Sequence, residues 1–209
     1  GIGIKKIVSS SNCPNEIYDN KGNKIDINKC QINLTNDENI ITMKWKKQLN
    51  AKELFRDLTN ILEVDLSKCK KIVGNCGMLD MFNGCTSLTS INFSNLDTST
   101  VSYSLARIFQ NCKSLKSVDL SKLDFSQISY FNDLFNGCNN LEYINYINYD
   151  ESKVGLNYYT NIDSNIPSNL VICINQAKAQ KLYNSVNNRG CSIRSEERRV
   201  GKECRSRWS

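Results

Sequence analysis

The stretch that decides the fold is LDMFNGCTSLTSINFSNLDTSTV, Leu79–Val101. It returns as ARIFQNCKSLKSVDLSKLDFSQI over Ala106–Ile128 and, cut short, as NDLFNGCNNLEYINY over Asn132–Tyr146. A looser copy, ELFRDLTNILEVDLSKC, precedes them over Glu53–Cys69. The anchoring aromatics Phe55, Phe82, Phe109 and Phe135 follow one another at 27, 27 and 26 residues. A period of that length points to a repeat architecture.

Inside each copy runs a second pattern: Ile61-Val64-Leu66, Leu88-Ile91-Phe93, Leu115-Val118-Leu120 and Leu141-Ile144-Tyr146. Its end alternates apolar, polar, apolar, as a short strand with one buried face does. One such strand per copy predicts parallel pairing between copies at about 4.8 Å per strand. One copy alone cannot bury its apolar side, but stacked copies can. Tyr103–Phe109 and Tyr130–Phe135 read as short helices. Asn83-Gly84-Cys85 and Asn136-Gly137-Cys138 read as their ends. Asn95–Ser99 and Lys122–Ser126 read as turns with caps. The expected fold class is therefore an α/β leucine-rich-repeat-like solenoid. It has short parallel strands, one per coil, short helices, and a small β-rich N-terminal cap.

The copies resemble the BspA-type leucine-rich repeat family, also described as DUF285. Its unit runs close to MF-x-GC-x-SL-x-S-L/I-D/N-L/F-S-x-F/L-D-T-S-x-V. Phe82–Ser99 fits almost throughout. Phe109–Ser126 keeps the frame, with Asn111 in place of the Gly and Phe125 in place of the Thr. Phe135–Tyr146 keeps only the first half, and Cys69 stands where Phe or Leu is usual. The resemblance covers about residues 53–150. It implies a surface protein of bacteria, mycoplasmas or protists that takes part in adhesion and binds host or extracellular proteins. It carries no catalytic residues.

The flanks differ from this body. Residues 1–50 read as an N-terminal β-rich cap. Glu16–Asp19 and Lys24–Ile27 form a hairpin around Asn20-Lys21-Gly22-Asn23. Gln31–Leu34 and Ile40–Trp45 are two further strands. Asp19, Asn23 and Asp26 lack the order and the distal Glu of a calcium loop, so they read as a turn. Residues 51–150 are the repeat body of about four coils. Residues 151–193 read as a C-terminal cap or the start of a next module, with a strand over Ile166–Ile174, a helix over Gln176–Val186, and Tyr158–Ile162 before them. Residues 194–209, RSEERRVGKECRSRWS, hold five of the eight Arg and no Asn or Ile, in a chain with 29 Asn and 21 Ile. This string resembles translated vector or adapter sequence and is set aside as a non-native tail.

Charge and composition narrow the function. The 209 residues carry a formal charge of +6. Without the tail, 21 basic and 18 acidic residues leave +3. The basic excess thus rests on the tail, and no nucleic-acid partner is expected. No apolar run is long enough to cross a bilayer, so no direct membrane insertion is expected in this stretch. The absence of an initiator Met reads as a fragment. The chain has no His. That removes the Ser-His-Asp triad, Cys-His pairs and imidazole metal sites. Asp65 and Asp119 would sit about 10 Å apart on an open sheet, without a glycosidase cleft. No enzyme activity, no catalytic residue, no metal site and no cofactor are expected.

Ten cysteines occur. None forms the closely spaced pairs of a zinc site. Cys85, Cys112 and Cys138 hold one position in successive copies and read as a column of buried thiols. Cys13 with Cys30 and Cys173 with Cys191 are candidate disulfides, each contributing on the order of 3 kcal/mol if oxidised. Cys69 and Cys76 could pair or stay free. The triplets Asn33-Leu34-Thr35 and Asn92-Phe93-Ser94 fit glycosylation. An extracellular or cell-surface location is the expectation, with the cytoplasm as the alternative.

The outward strand positions form the candidate binding face: Glu63, Asp65, Ser90, Asn92, Ser117, Asp119, Tyr143 and Asn145. This short, polar face suits a protein or glycan ligand better than a small cofactor. The expected function is a non-catalytic surface module for adhesion or recognition. The alternatives are a structural spacer of a large surface protein and an intracellular interaction scaffold.

Overall fold

The computed structural model describes residues 3–8, 13–28, 30–34, 39–46, 48–69, 71–73, 76–154, 166–187 and 192–195. Tyr158–Ile162, Cys191 and residues 196–209 of the tail lie outside the described residues. Strands β1 (Gly3–Lys6), β2 (Glu16–Tyr18), β3 (Lys24–Ile25), β4 (Gln31–Leu34), β5 (Thr42–Lys44) and β6 (Leu49–Asn50) make up the N-terminal part. The body holds β7 (Glu63–Asp65), β8 (Ile72–Val73), β9 (Ser90–Asn92), β10 (Tyr103–Ser104), β11 (Ser117–Asp119), β12 (Ile128–Tyr130) and β13 (Tyr143–Asn145). Then come β14 (Val171–Ile174), α1 (Gln180–Asn187) and β15 (Ser192–Ser195).

The expected α/β leucine-rich-repeat solenoid is corrected on two counts. The fold is sheet-dominated, and helix among the described residues is confined to the eight residues of α1. The described strands do not form one curved ladder. They divide into six small sheets of two to four strands. The terms leucine-rich repeat, solenoid and BspA-like therefore do not describe this chain. Pairing in the body is parallel: β7 with β9, β6 with β8, β10 with β12, and β11-β13-β14-β15 in that order. No ladder joins β9 to β11.

The segments expected to be helices are runs of tight turns, for a backbone reason. Leu54, Arg56 and Leu58 donate their N–H groups locally, to the carbonyls of Ala51, Glu53 and Phe55. Glu53, Phe55 and Asp57 donate sideways instead, to Leu79, Met81 and Asn83. The pattern recurs from Asp80, Phe82 and Gly84 to Ala106, Ile108 and Gln110. It recurs again from Arg107, Phe109 and Asn111 to Asn132, Leu134 and Asn136. A helix would direct all these groups along its own axis. Here every second one laces a segment to its neighbour.

This route requires left-handed backbone twice per segment. Glu53, Asp80, Arg107 and Asp133 have φ of 53°, 54°, 53° and 57°, and Asp57, Gly84, Asn111 and Gly137 have 59°, 78°, 61° and 81°. An L-residue held there costs about 1–2 kcal/mol, which explains glycine at two of the eight positions. At Gly84 a Cβ would also run into the Asp57 carboxylate. The glycines expected to terminate helices thus allow close lateral packing instead.

The core is built in columns. Phe55, Phe82, Phe109 and Phe135 are all buried, with ring centroids 5.3, 5.7 and 5.3 Å apart and planes within 11° of parallel. Val64, Ile91, Val118 and Ile144 point the middle residue of each strand toward this core. Leu170, Ile172, Ile174, Ala179 and Leu182 extend it through β14 and α1. The N-terminal strands have a second small core of Ile7, Ile17 and Ile32. Met43 packs against both cores. The hairpin is present as β2 paired antiparallel with β3, and β5 lies on the other side of β2. Asp19 holds its turn by accepting the Lys21 and Asn23 amides at 2.8 Å each. β15 carries the chain two residues into the segment set aside as tail, with Arg194 paired to Cys173 and Ser195 to Ile174.

Cys13 and Cys30 form a disulfide, with Cα atoms 5.1 Å apart. Cys173 is disulfide-bonded and buried. Cys69 and Cys76 are free thiols. The Cys85, Cys112 and Cys138 thiols are buried, and each donates to a phenylalanine carbonyl one copy earlier: Phe55 at 2.9 Å, Phe82 at 3.1 Å and Phe109 at 3.0 Å. Burial pushes the Cys85 and Cys138 thiols up to about 12 and the Cys112 thiol up as well. A thiol must ionise to react. Iodoacetamide at pH 8 is therefore expected to label Cys76 in the native chain and to label the three buried thiols about a thousandfold more slowly than free cysteine. Peptide mapping before and after unfolding checks this. Native labelling of Cys112 would contradict the sealed column.

Candidate functional site

The strand rows are held in register by main-chain pairing. Glu63 lies opposite Ser90 and Asp65 opposite Asn92. Ser117 lies opposite Tyr143 and Asp119 opposite Asn145. Side chains two residues apart on a strand share a face. The structure thus brings Glu63, Asp65, Ser90 and Asn92 together on one small sheet, and Ser117, Asp119, Tyr143 and Asn145 on another.

The eight positions are not equally available. Glu63, Asp65 and Asn92 are exposed, and Ser90, Ser117 and Asp119 are half-buried. Tyr143 and Asn145 are buried, which corrects their place on an open binding face. Both lie on β13, which has β11 on one side and β14 on the other. The aromatic member of the expected face is therefore a core residue.

One row has local work to do. Asp65 Oδ1 accepts the Ser67 amide at 2.8 Å, and Asn92 Oδ1 accepts that of Ser94 at 2.9 Å. Asp119 accepts from Ser121 at 2.8 Å, and Asn145 from Ile147 at 3.1 Å. Each is an Asx turn that ends its strand. The Ser67 hydroxyl and then its amide hold the Asp65 carboxyl below the ordinary carboxylate value. Asp97 and Asp124 do the same for Ser99 and Ser126 in the expected turns, but no helix follows them. Glu63, which is exposed, and Ser90 and Ser117, which are half-buried, make no such turn.

Two features escaped the sequence reading. The first is a polar cluster. Asp80 is buried and receives Arg107 through two hydrogen bonds, Nε at 2.9 Å and Nη2 at 2.7 Å. Asn83 donates to it at 2.7 Å, and Arg56 lies 3.8 Å away. Arg107 stands 27 residues after Asp80, so the pairing is readable only once the copies are known to lie side by side. The second is Tyr103 with Tyr130, ring centroids 4.7 Å apart, on β10 and β12. Both occupy the same phase of the 27-residue spacing, which was the available signal.

A shallow cleft of about 120 Å³ is lined by Leu123, Asp124, Phe125, Ser126, Asn148, Asp150, Lys153 and Lys178. Among the described residues no group of three or more His, Cys, Asp or Glu could hold a metal ion. Among them, too, no helix is long and apolar enough to cross a membrane. The exposed strand rows can offer hydrogen bonds and a mild negative charge to a broad partner.

No curated protein and no solved structure matches the chain. The sequence resemblance holds only in its coarser part, since the match carries neither a leucine-rich-repeat nor a BspA identity. Residues 49–164, more than half of the chain, match the family described as Mycoplasma protein of unknown function, DUF285, and the chain belongs to that family.

Proposed function

We propose that this chain is a non-catalytic recognition module that binds a protein or glycan through the exposed part of its strand rows. The observation that carries this reading is the row Glu63, Ser90, Ser117. It is polar, Glu63 is exposed and lies opposite Ser90, Ser90 and Ser117 are half-buried, and none of the three is engaged in the Asx turns that occupy the adjacent row. Short polar side chains on a rigid strand face bind through many hydrogen bonds with little entropy lost on ordering. Asp65 and Asn92 lie exposed beside it.

The location proposed with it is extracellular or at the cell surface. Support comes from the Cys13–Cys30 disulfide and the oxidised Cys173, since such bonds persist mainly in oxidising compartments. An intracellular scaffold fits these bonds poorly. A spacer role is the second reading, and the Asx row favours it, because those side chains serve the backbone rather than a ligand.

The test is the triple variant Glu63→Lys, Ser90→Lys, Ser117→Lys on a glycan array and on immobilised extracellular-matrix proteins. The native chain is expected to bind at least one class. The variant should lose roughly tenfold or more, as removal of central contacts does. Equal binding by both would move the site off this face. No binding by the native chain would favour the spacer.

A further inference from the structure

We propose that Tyr103 and Tyr130 form an oxidative modification site, at which a peroxidase using hydrogen peroxide joins the two rings as an intramolecular dityrosine. The geometry points to this pair. Their ring centroids are 4.7 Å apart with planes at 54°, closer than the 5.3 Å of the best-stacked phenylalanines. At that separation the two rings are in contact, and the carbons ortho to the hydroxyls are those that couple.

The pair is preset by the backbone. The Tyr103 amide donates to the Gln127 carbonyl at 3.1 Å, and the Leu105 amide donates to that of Tyr130 at 2.9 Å. β10 and β12 pair in parallel, with a register shift between Tyr103 and Ser104. Tyr103 has φ of 80° at a non-glycine position. Such backbone is held against a cost and gathers at functional positions. Here it sets an aromatic ring on the surface, 51% exposed, where an oxidant can reach it. The same chain holds an internal comparison. Tyr146 and Tyr149 pack at 6.2 Å and are sealed in the core.

The chemistry balances as follows. Each phenol gives one electron and one proton, leaving two phenoxyl radicals. These form one carbon–carbon bond between ortho carbons. The two ortho hydrogens then move to the oxygens as the rings regain aromaticity. The pair has lost two hydrogen atoms, and one hydrogen peroxide has become two waters. The product is a covalent brace between segments that are otherwise joined there by hydrogen bonds. Because both rings are held on one molecule, coupling within the chain should outrun coupling between chains.

The test treats the full chain at low concentration with a peroxidase and hydrogen peroxide. The expected product is monomeric, lighter by the mass of two hydrogens, and yields a linked peptide containing Tyr103 and Tyr130. Tyr103→Phe and Tyr130→Phe should each lower the yield of intramolecular dityrosine by about tenfold or more, given the proximity advantage. Tyr146→Phe should leave it unchanged. Dityrosine only in covalent dimers, or undiminished intramolecular dityrosine in both Tyr103→Phe and Tyr130→Phe, would overturn the assignment. No ligand is involved, so the outcome is independent of the recognition test.

Discussion

Phe109→Ala is expected to destabilise the chain by about 3–5 kcal/mol, the range for removing a large buried aromatic. Phe109 lies between Phe82 at 5.7 Å and Phe135 at 5.3 Å and also meets Phe93 at 6.3 Å. Its removal opens a gap in the middle of the ring column and deprives two neighbours of a stacking partner. The measurement is the urea midpoint at unchanged slope, which separates lost stability from a changed unfolded state. Phe55→Ala should cost less, because among the described residues its ring stacks on Phe82 alone. Equal costs would mean that burial alone matters and the column adds nothing. Phe109→Leu, which keeps most of the volume, should fall well below either.

The second large effect is expected at Arg107. Arg107→Ala leaves the Asp80 carboxylate buried with Asn83 and with Arg56 no nearer than 3.8 Å. Breaking a buried pair costs about 3–5 kcal/mol. The lower end, about 3 kcal/mol, applies here because the Arg107 side chain is itself 38% exposed and screened by water. Burial pushes the Asp80 carboxyl up. The hydrogen bonds from Arg107 and Asn83 and the charges of Arg107 and Arg56 outweigh it, and the group sits below its ordinary value of 3.8. A carboxyl lowered by folding stabilises fully above its unfolded value, and that contribution is lost as pH falls through the folded one. The gap between native chain and variant should therefore be widest near neutral pH and narrow below about pH 4. Denaturation curves at pH 7 and pH 3 check this. The double variant Asp80→Asn, Arg107→Ala should be less unstable than Arg107→Ala alone, since no charge is then stranded.

Much of the core could be read without coordinates. A phenylalanine every 27 or 26 residues, a cysteine three residues after each of the last three, and an apolar residue at the middle of each short strand already imply columns. Those columns are present as stacked rings, carbonyl-bound thiols and a shared buried face. The β2–β3 hairpin and the helix near Gln180 were legible from turn residues and spacing. The helices expected at Tyr103–Phe109 and Tyr130–Phe135 were not there. Their apolar spacing suits a helix as well as a chain of turns, and nothing in Glu53, Asp80, Arg107 or Asp133 announces a left-handed backbone. The glycines were noticed but assigned to helix ends, where the same geometry is common.

The candidate face shows the same division. Alternation marks outward positions on β7 and β9, where Glu63, Asp65 and Asn92 are exposed and Ser90 is half-buried, because it depends on a local two-residue period. It failed for Tyr143 and Asn145, because burial on β13 depends on distant chain. β14 is 26 or more residues further on, and its pairing covers that edge.

By itself the sequence determined which side chains recur, and hence which could stack, since a fixed period returns like residues to like places. Only the tertiary structure decided how the backbone travels between those places. Sideways hydrogen bonds to the next segment stabilise left-handed residues that no isolated peptide would favour, so turns rather than helices fill the space. The same lateral packing set Asp80 against Arg107 and Tyr103 against Tyr130, contacts that exist only when segments 27 residues apart lie side by side.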